Sequence, residues 1–137
     1  MSANLILLVE DDPDDEELAR ASLERHRIGR IQTAHDGVEA LEYLHQGSHE
    51  LPRVVLLDLK LPRLNGIEVL RRIRAHPRTE LLPVVIMTSS KQEIDRVNSY
   101  QGGANSFVTK PIDFDQFREA VRQLGLYWVG INETAYS

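Results

Sequence analysis

Four short apolar stretches of the chain run into residues that can hold a cation or a phosphate. Glu10 and Asp11 follow residues 4–9, Asp58 follows 53–57, Thr88 follows 83–87 and Lys110 follows 106–109. Three carboxylates brought together repel one another, and they stay ionised only beside a cation or with raised pKa values. No His or Cys stands at ligand spacing beside them, so the donor set is all oxygen and Mg2+ is its natural cation. Such an ion keeps several waters and is completed by a substrate phosphate. Lys110 supplies a point charge for a phosphoryl oxygen, and the Thr88 hydroxyl supplies a donor. With Asp58 as nucleophile and Mg2+ and Lys110 stabilising charge, the set suits phosphoryl transfer to a carboxylate.

Each residue alone has an ordinary alternative. Glu10 and Asp11 suit a helix N-terminus, Asp58 a turn, Thr88 the end of a β-branched strand and Lys110 a solvated loop. Their joint placement at the ends of separate strands decides for chemistry, and the elements that would place them can be read from the pattern. Val54 to Leu57 are apolar without a break, between Pro52 and a carboxylate, with Pro62 shortly after. That run suits a strand buried on both faces and is too short and proline-bounded for a helix. Residues 4–9, 28–34, 83–87 and 106–109 read as further strands. Helices are expected from Pro13 to about Arg25 with Asp12 as N-cap, from Val38 to Leu44, from Ile67 to Ala75, over 92–100, and from Phe114 behind an Asp113 cap. Ser48 to Leu51 reads as a loop. Five alternating strands and helices predict an α/β fold, a doubly wound five-stranded parallel sheet with helices on both faces. The polar residues then converge at the C-terminal edge of the sheet, where such folds bind ligands.

At 137 residues, 42% apolar and 27% charged, the chain has the size and composition of one globular domain. It has no cysteine, which excludes disulfides and thiolate metal sites and fits a cytoplasmic protein. The net charge of −5, with no Lys/Arg cluster beside aromatics, argues against direct nucleic-acid binding. No apolar run reaches the length of a membrane span.

The motifs Val-Glu-Asp-Asp, Leu-Leu-Asp-Leu-Lys-Leu-Pro with Asn65-Gly66, Met-Thr-Ser and Phe-Val-Thr-Lys-Pro together resemble the receiver domain of bacterial response regulators. The resemblance runs over about residues 4–125. It implies a flavodoxin-like strand order of 2-1-3-4-5, with Asp58 as phosphoacceptor of a histidine kinase. It also implies Asp11 as direct Mg2+ ligand, Glu10 reaching the metal through water, and the carbonyl of Lys60 as a backbone ligand. Thr88 and Phe107 match the switch pair and Lys110 the phosphate-binding lysine. A Phe in place of the usual Tyr at 107 leaves no hydroxyl to bond in the inward position. A cis Lys110–Pro111 bond is implied as well.

With no output domain following, the chain resembles a single-domain regulator. Thr88-Ser89-Ser90 and the ending Leu126-Tyr127-Trp128-Val129 resemble regulators paired with phytochromes, which implies a phytochrome-type sensor kinase as partner. Residues 1–125 would form the receiver and 126–137 an extension that continues the last helix and then trails off. The apolar stripe of the last helix divides in two. Phe114, Phe117 and Val121 are expected on the sheet, while Leu124, Tyr127, Trp128 and Val129 form a patch suited to a homodimer across helix 4, strand 5, helix 5 and the extension. A degenerate receiver that binds partners without phosphorylation is the competing reading. Against it, every matched position carries a competent residue.

Overall fold

The computed structural model describes residues 4–47 and 49–136. Met1 to Ala3, Ser48 at the start of the loop before the third strand, and Ser137 at the end of the tail lie outside the described residues. The strands are β1 (Leu5–Val9), β2 (Arg30–Ala34), β3 (Val54–Leu57), β4 (Val84–Thr88) and β5 (Ser106–Thr109). The helices are α1 (Pro13–Arg25), α2 (Gly37–His45), α3 (Gly66–Ala75), α4 (Glu93–Gln101) and α5 (Phe114–Gly125), followed by a π-helical segment, Leu126–Ile131. All pairings are parallel, in the expected order β2-β1-β3-β4-β5.

The three central strands are buried on both faces, so their apolar runs are unbroken. Period-two alternation divides them between two cores. Leu7, Val9, Val55, Leu57, Val84 and Ile86 face α2 and α3. Ile6, Leu8, Val54, Leu56, Val85 and Met87 face α1 and α5, where Ala19, Leu23, Phe117 and Val121 meet them. Edge strand β2 alternates between exposed and half-buried residues up to the buried Ala34. It begins at Arg30 rather than Ile28, because Ile28 closes the turn after α1 with a hydrogen bond to the Leu23 carbonyl.

Four helix starts carry a side-chain cap. Asp12, Asp36, Asn65 and Asp113 accept from backbone N–H groups of the first turn, and Pro13 occupies the first helical position of α1. The α4 helix has no such cap and buries only Ser99.

Three expectations are corrected. Phe114 lies 67% exposed rather than on the sheet, lining a surface groove with Leu18 and Ala21 of α1, while Phe117 and Val121 reach the core. Leu124, Trp128 and Val129 do not form a solvent-facing patch. They pack against the α1–α5 core, leaving Leu126, Tyr127 and Ile131 exposed. No cis peptide bond occurs among the described residues, so Lys110–Pro111 is trans, the intrinsically favoured state even before proline. The lysine amine reaches the site in this geometry.

Beyond the π-helical segment, the tail runs back along its own domain. The Arg53 guanidinium donates to the Asn132 carbonyl at 2.9 Å, and the Leu81 N–H donates to the Tyr136 hydroxyl at 2.9 Å.

The link between β3 and α3 is a tight place near the convergent edge. A Cβ on Gly66 would lie 2.3 Å from the Asp58 carbonyl oxygen and 2.6 Å from the Leu59 Cα, both backbone atoms that cannot step aside. Gly66→Ala should therefore cost about 1–3 kcal/mol of stability, the usual range for overpacking. Urea unfolding measures it, and a loss near zero would mean that the loop holding Asp58 yields freely.

Candidate functional site

The site grows directly from strand register. Val9 is paired with Leu57, so the next residues, Glu10 and Asp58, emerge side by side at the ends of neighbouring strands about 4.8 Å apart. Between β1 and β3 the strand order reverses, which opens the crevice that doubly wound sheets use for ligands. Thr88 is paired with Thr109, which places Lys110 one residue beyond the β4–β5 ladder, its N–H bonded to the Thr88 carbonyl at 2.7 Å.

These registers bring together most of the residues singled out in the sequence. Glu10, Asp11 and Asp58 offer carboxylate oxygens within 4.8 Å of one another. Glu10 and Asp58 are buried, and Asp11 is exposed. The Lys110 amine donates to Glu10 Oε1 at 2.6 Å and to Asp58 Oδ2 at 2.9 Å, and its side chain is itself buried. The Lys60 N–H donates to Asp58 Oδ1 at 3.2 Å, so both Asp58 oxygens are held. Thr88 is fully buried at the end of β4, where its Oγ1 accepts from the Ser90 N–H at 3.3 Å. Phe107 stands apart from the charged cluster. It packs, half-buried, against the α2–α3 core, on the sheet face to which Thr88 also points by alternation.

The structure adds two features that sequence reasoning missed. Asp15, in the first turn of α1, places its Oδ2 2.9 Å from the Lys110 amine. From sequence it is one of several acids favoured there by the helix dipole, and only its position above the sheet edge distinguishes it. The second is a cluster beyond β4. The Ser90 hydroxyl donates to Asp95 of α4 and accepts from the Gln92 N–H, tying the loop after Thr88 to the start of that helix.

Charge at the site is unbalanced. Glu10, Asp11, Asp15 and Asp58 face one ammonium. Burial alone would lower the Lys110 pKa, but hydrogen bonds to Glu10 and Asp15 and the charge of Asp58 outweigh it and hold the amine protonated beyond its usual range. Glu10 goes the other way. Its burial raises the pKa to about 7 against the opposing hydrogen bond and charge of Lys110, because one ammonium shared three ways does not offset desolvation. An all-oxygen donor set with surplus negative charge fits a hard divalent cation.

A family model for the response regulator receiver domain matches residues 6–122. Probable methanogenesis regulatory protein FilR2 of Methanothrix harundinacea is 40% identical over 134 residues, spanning 95% of this chain and 86% of that protein. The crystal structure of the phosphorylated cyanobacterial phytochrome response regulator RcpA superposes with a TM-score of 0.92 at 31% identity, covering 96% of this chain and 98% of that one. The Mn2+-bound form of response regulator Rcp1 superposes with a TM-score of 0.89 at 32% identity, covering 96% and 98%.

The Glu10 shift has a testable sign. In the unfolded chain Glu10 loses its proton near 4.5, and in the folded chain only near 7. Between those values the folded state binds the extra proton, so this contribution to stability is full below about 4.5 and is lost as pH rises through about 7. Urea unfolding in EDTA from about pH 5 to 8 should show wild type losing stability relative to Glu10→Gln. Added Mg2+ should stabilise wild type more at the alkaline end, where it competes with no proton. Parallel pH profiles for the two proteins would assign the titration elsewhere.

Proposed function

Because this chain belongs to the response regulator receiver family, the phospho-accepting components of two-component signalling, we propose that Asp58 is its acceptor. The observation that carries this is the pairing of Asp58, buried at the sheet's C-terminal edge and held at both oxygens, with the ammonium of Lys110. A carboxylate oxygen of Asp58 attacks the phosphorus of a phosphohistidine on the kinase. The new O–P bond forms as the N–P bond breaks, and the imidazole leaves with the electron pair and takes up a proton. Lys110 neutralises an oxygen of the transferring group, and the buried crevice keeps bulk water from diluting that charge. Glu10, Asp11 and Asp58, with the carbonyl of Lys60, would hold Mg2+, Glu10 through a water. When bound, the ion offsets the surplus negative charge and stabilises charge on the phosphoryl oxygens.

The chain assists its own phosphorylation and dephosphorylation rather than turning over a separate substrate. Thr88 and Phe107 are the proposed switch. The Thr88 hydroxyl leaves the Ser90 N–H for the phosphoryl group, and Phe107 follows into the space released, which alters the surface of α4, β5 and α5. Likeness to the cyanobacterial phytochrome response regulator RcpA supports a phytochrome-type sensor kinase as partner. No described helix is long and apolar enough to cross a membrane, and a cytoplasmic location suits a partner of a kinase's catalytic module.

We also propose that the chain pairs with a second copy across α4, β5, α5 and the extension, where Ile94, Tyr100, Leu126, Tyr127 and Ile131 are exposed. Light scattering at micromolar concentration should give twice the monomer mass, falling toward monomer in Ile131→Asp. A monomeric wild type in both phosphorylation states would remove the dimer.

Treatment with acetyl phosphate and Mg2+ should add the mass of one phosphoryl group, labile to base. Asp58→Asn should fold and take up none. Lys110→Ala should bind Mg2+ yet fail to switch, because the phosphoryl oxygen loses its charged partner. Full labelling of Asp58→Asn would move the acceptor to another carboxylate.

A further inference from the structure

Asp15 is the one group in the charged cluster for which phosphoryl acceptance gives no role. It occupies the first turn of α1, two residues after Pro13, with its own N–H bonded to the Asp12 cap at 3.3 Å. Asp14, its neighbour in that acidic turn, is exposed, whereas Asp15 turns inward to the Lys110 amine at 2.9 Å.

An ammonium has three N–H donors. Glu10 takes one at 2.6 Å, Asp58 one at 2.9 Å and Asp15 the third. An incoming phosphoryl oxygen must therefore displace one of these carboxylates. The side chains of Glu10 and Asp58 are 5% and 9% exposed, both belong to the proposed metal-holding set, and Asp58 stays an anion until the O–P bond forms, so neither is free to turn to water as the phosphoryl group arrives. The Asp15 side chain is 27% exposed and can be rehydrated where it stands. It is the partner that leaves at least cost.

We propose that Asp15 is a positioning residue that occupies the third donor of Lys110 in the unphosphorylated protein and yields it to the phosphoryl group. The inference rests on Asp58 as acceptor. Its consequence is a built-in resistance: phosphorylation has to break the Asp15–Lys110 bond and bring a dianion near the Asp15 charge. Asp15 thereby shifts the balance toward the unphosphorylated state and toward faster loss of the phosphoryl group.

The test compares wild type with Asp15→Asn and, as a matched charge control in the same helical turn, Asp14→Asn. Beryllofluoride serves as the phosphoryl mimic in saturating Mg2+, with its bound form followed by fluorine NMR. Asp15→Asn should bind it roughly twofold to fivefold more tightly, the range of a partly exposed ion pair, and should hold a phosphoryl group longer by a similar factor. Asp14→Asn should match wild type. Nitrogen-15 spectra of the lysine amines should show the Lys110 resonance moving in unliganded Asp15→Asn while the urea midpoint stays within the range of a surface substitution.

Weaker or unchanged beryllofluoride binding in Asp15→Asn would overturn the proposal, as would equal tightening in Asp14→Asn, which would reveal a general charge effect. A wild type that binds neither beryllofluoride nor a phosphoryl group would instead refute Asp58 as acceptor.

Discussion

Lys110 places one positive charge among Glu10, Asp15 and Asp58, with contacts of 2.6–2.9 Å, in a crevice where two of the three carboxylates have almost no access to water. Such a cluster is costly to assemble, because each charge gives up hydration and like charges are forced together. The ammonium offsets only part of this, which is why Glu10 keeps its proton to about 7. The cluster is thus held in an under-neutralised state that a divalent cation would relieve. Under the function proposed above, the same imbalance would prepare Asp58 to share such a cation and the Lys110 ammonium with a phosphoryl group.

The apolar sheet makes this arrangement affordable. The central strands β1, β3 and β4 have almost no solvent access on either face, and each fully buried Leu, Ile or Val side chain contributes about 1.5–3 kcal/mol. Register then turns packing into geometry. With Val9 opposite Leu57, the acids at the strand ends have to stand together, and a one-residue slip would send every core side chain to the wrong face. Gly66 completes the frame by letting α3 start against the Asp58 backbone itself. Site and core are therefore coupled: the same register that closes the two cores sets the separation of the carboxylates.

Away from the site, the end of the chain closes the opposite side of the molecule. Trp128 and Val129 cover the core between α1 and α5, and Arg53, at the entrance to β3, holds the Asn132 carbonyl. Tyr136 packs against the other core and takes the Leu81 N–H. The tail therefore touches both sheet faces of its own domain, and the apolar surface it leaves to solvent comes from Leu126, Tyr127 and Ile131.

Much of this architecture is legible in the residues themselves. Strands buried on both faces need continuous apolar runs, and Leu5–Val9, Val54–Leu57 and Val84–Thr88 supply them, each closing on a polar residue. Caps at Asp12, Asn65 and Asp113 follow from side chains that compete for the first N–H groups of a helix, a local effect carried by a few neighbouring positions. Glu10, Asp11, Asp58, Thr88 and Lys110 could be expected at one edge because parallel topology sends all strand C-terminal ends there. What the pattern left open depends on contacts between distant parts of the chain. Periodicity puts Phe114 on the same stripe as Phe117 and Val121 but does not say which turns of α5 the core covers. It shows that Trp128 is apolar but not which surface receives it. An acid at the third position of α1 reads as a dipole partner whether or not a lysine stands opposite, and Lys110 is 95 residues further along the chain. Local chemistry determined the elements and the polar groups that end the strands; tertiary packing decided which charges meet, because only the closed sheet brings strand ends and helix starts within hydrogen-bonding distance.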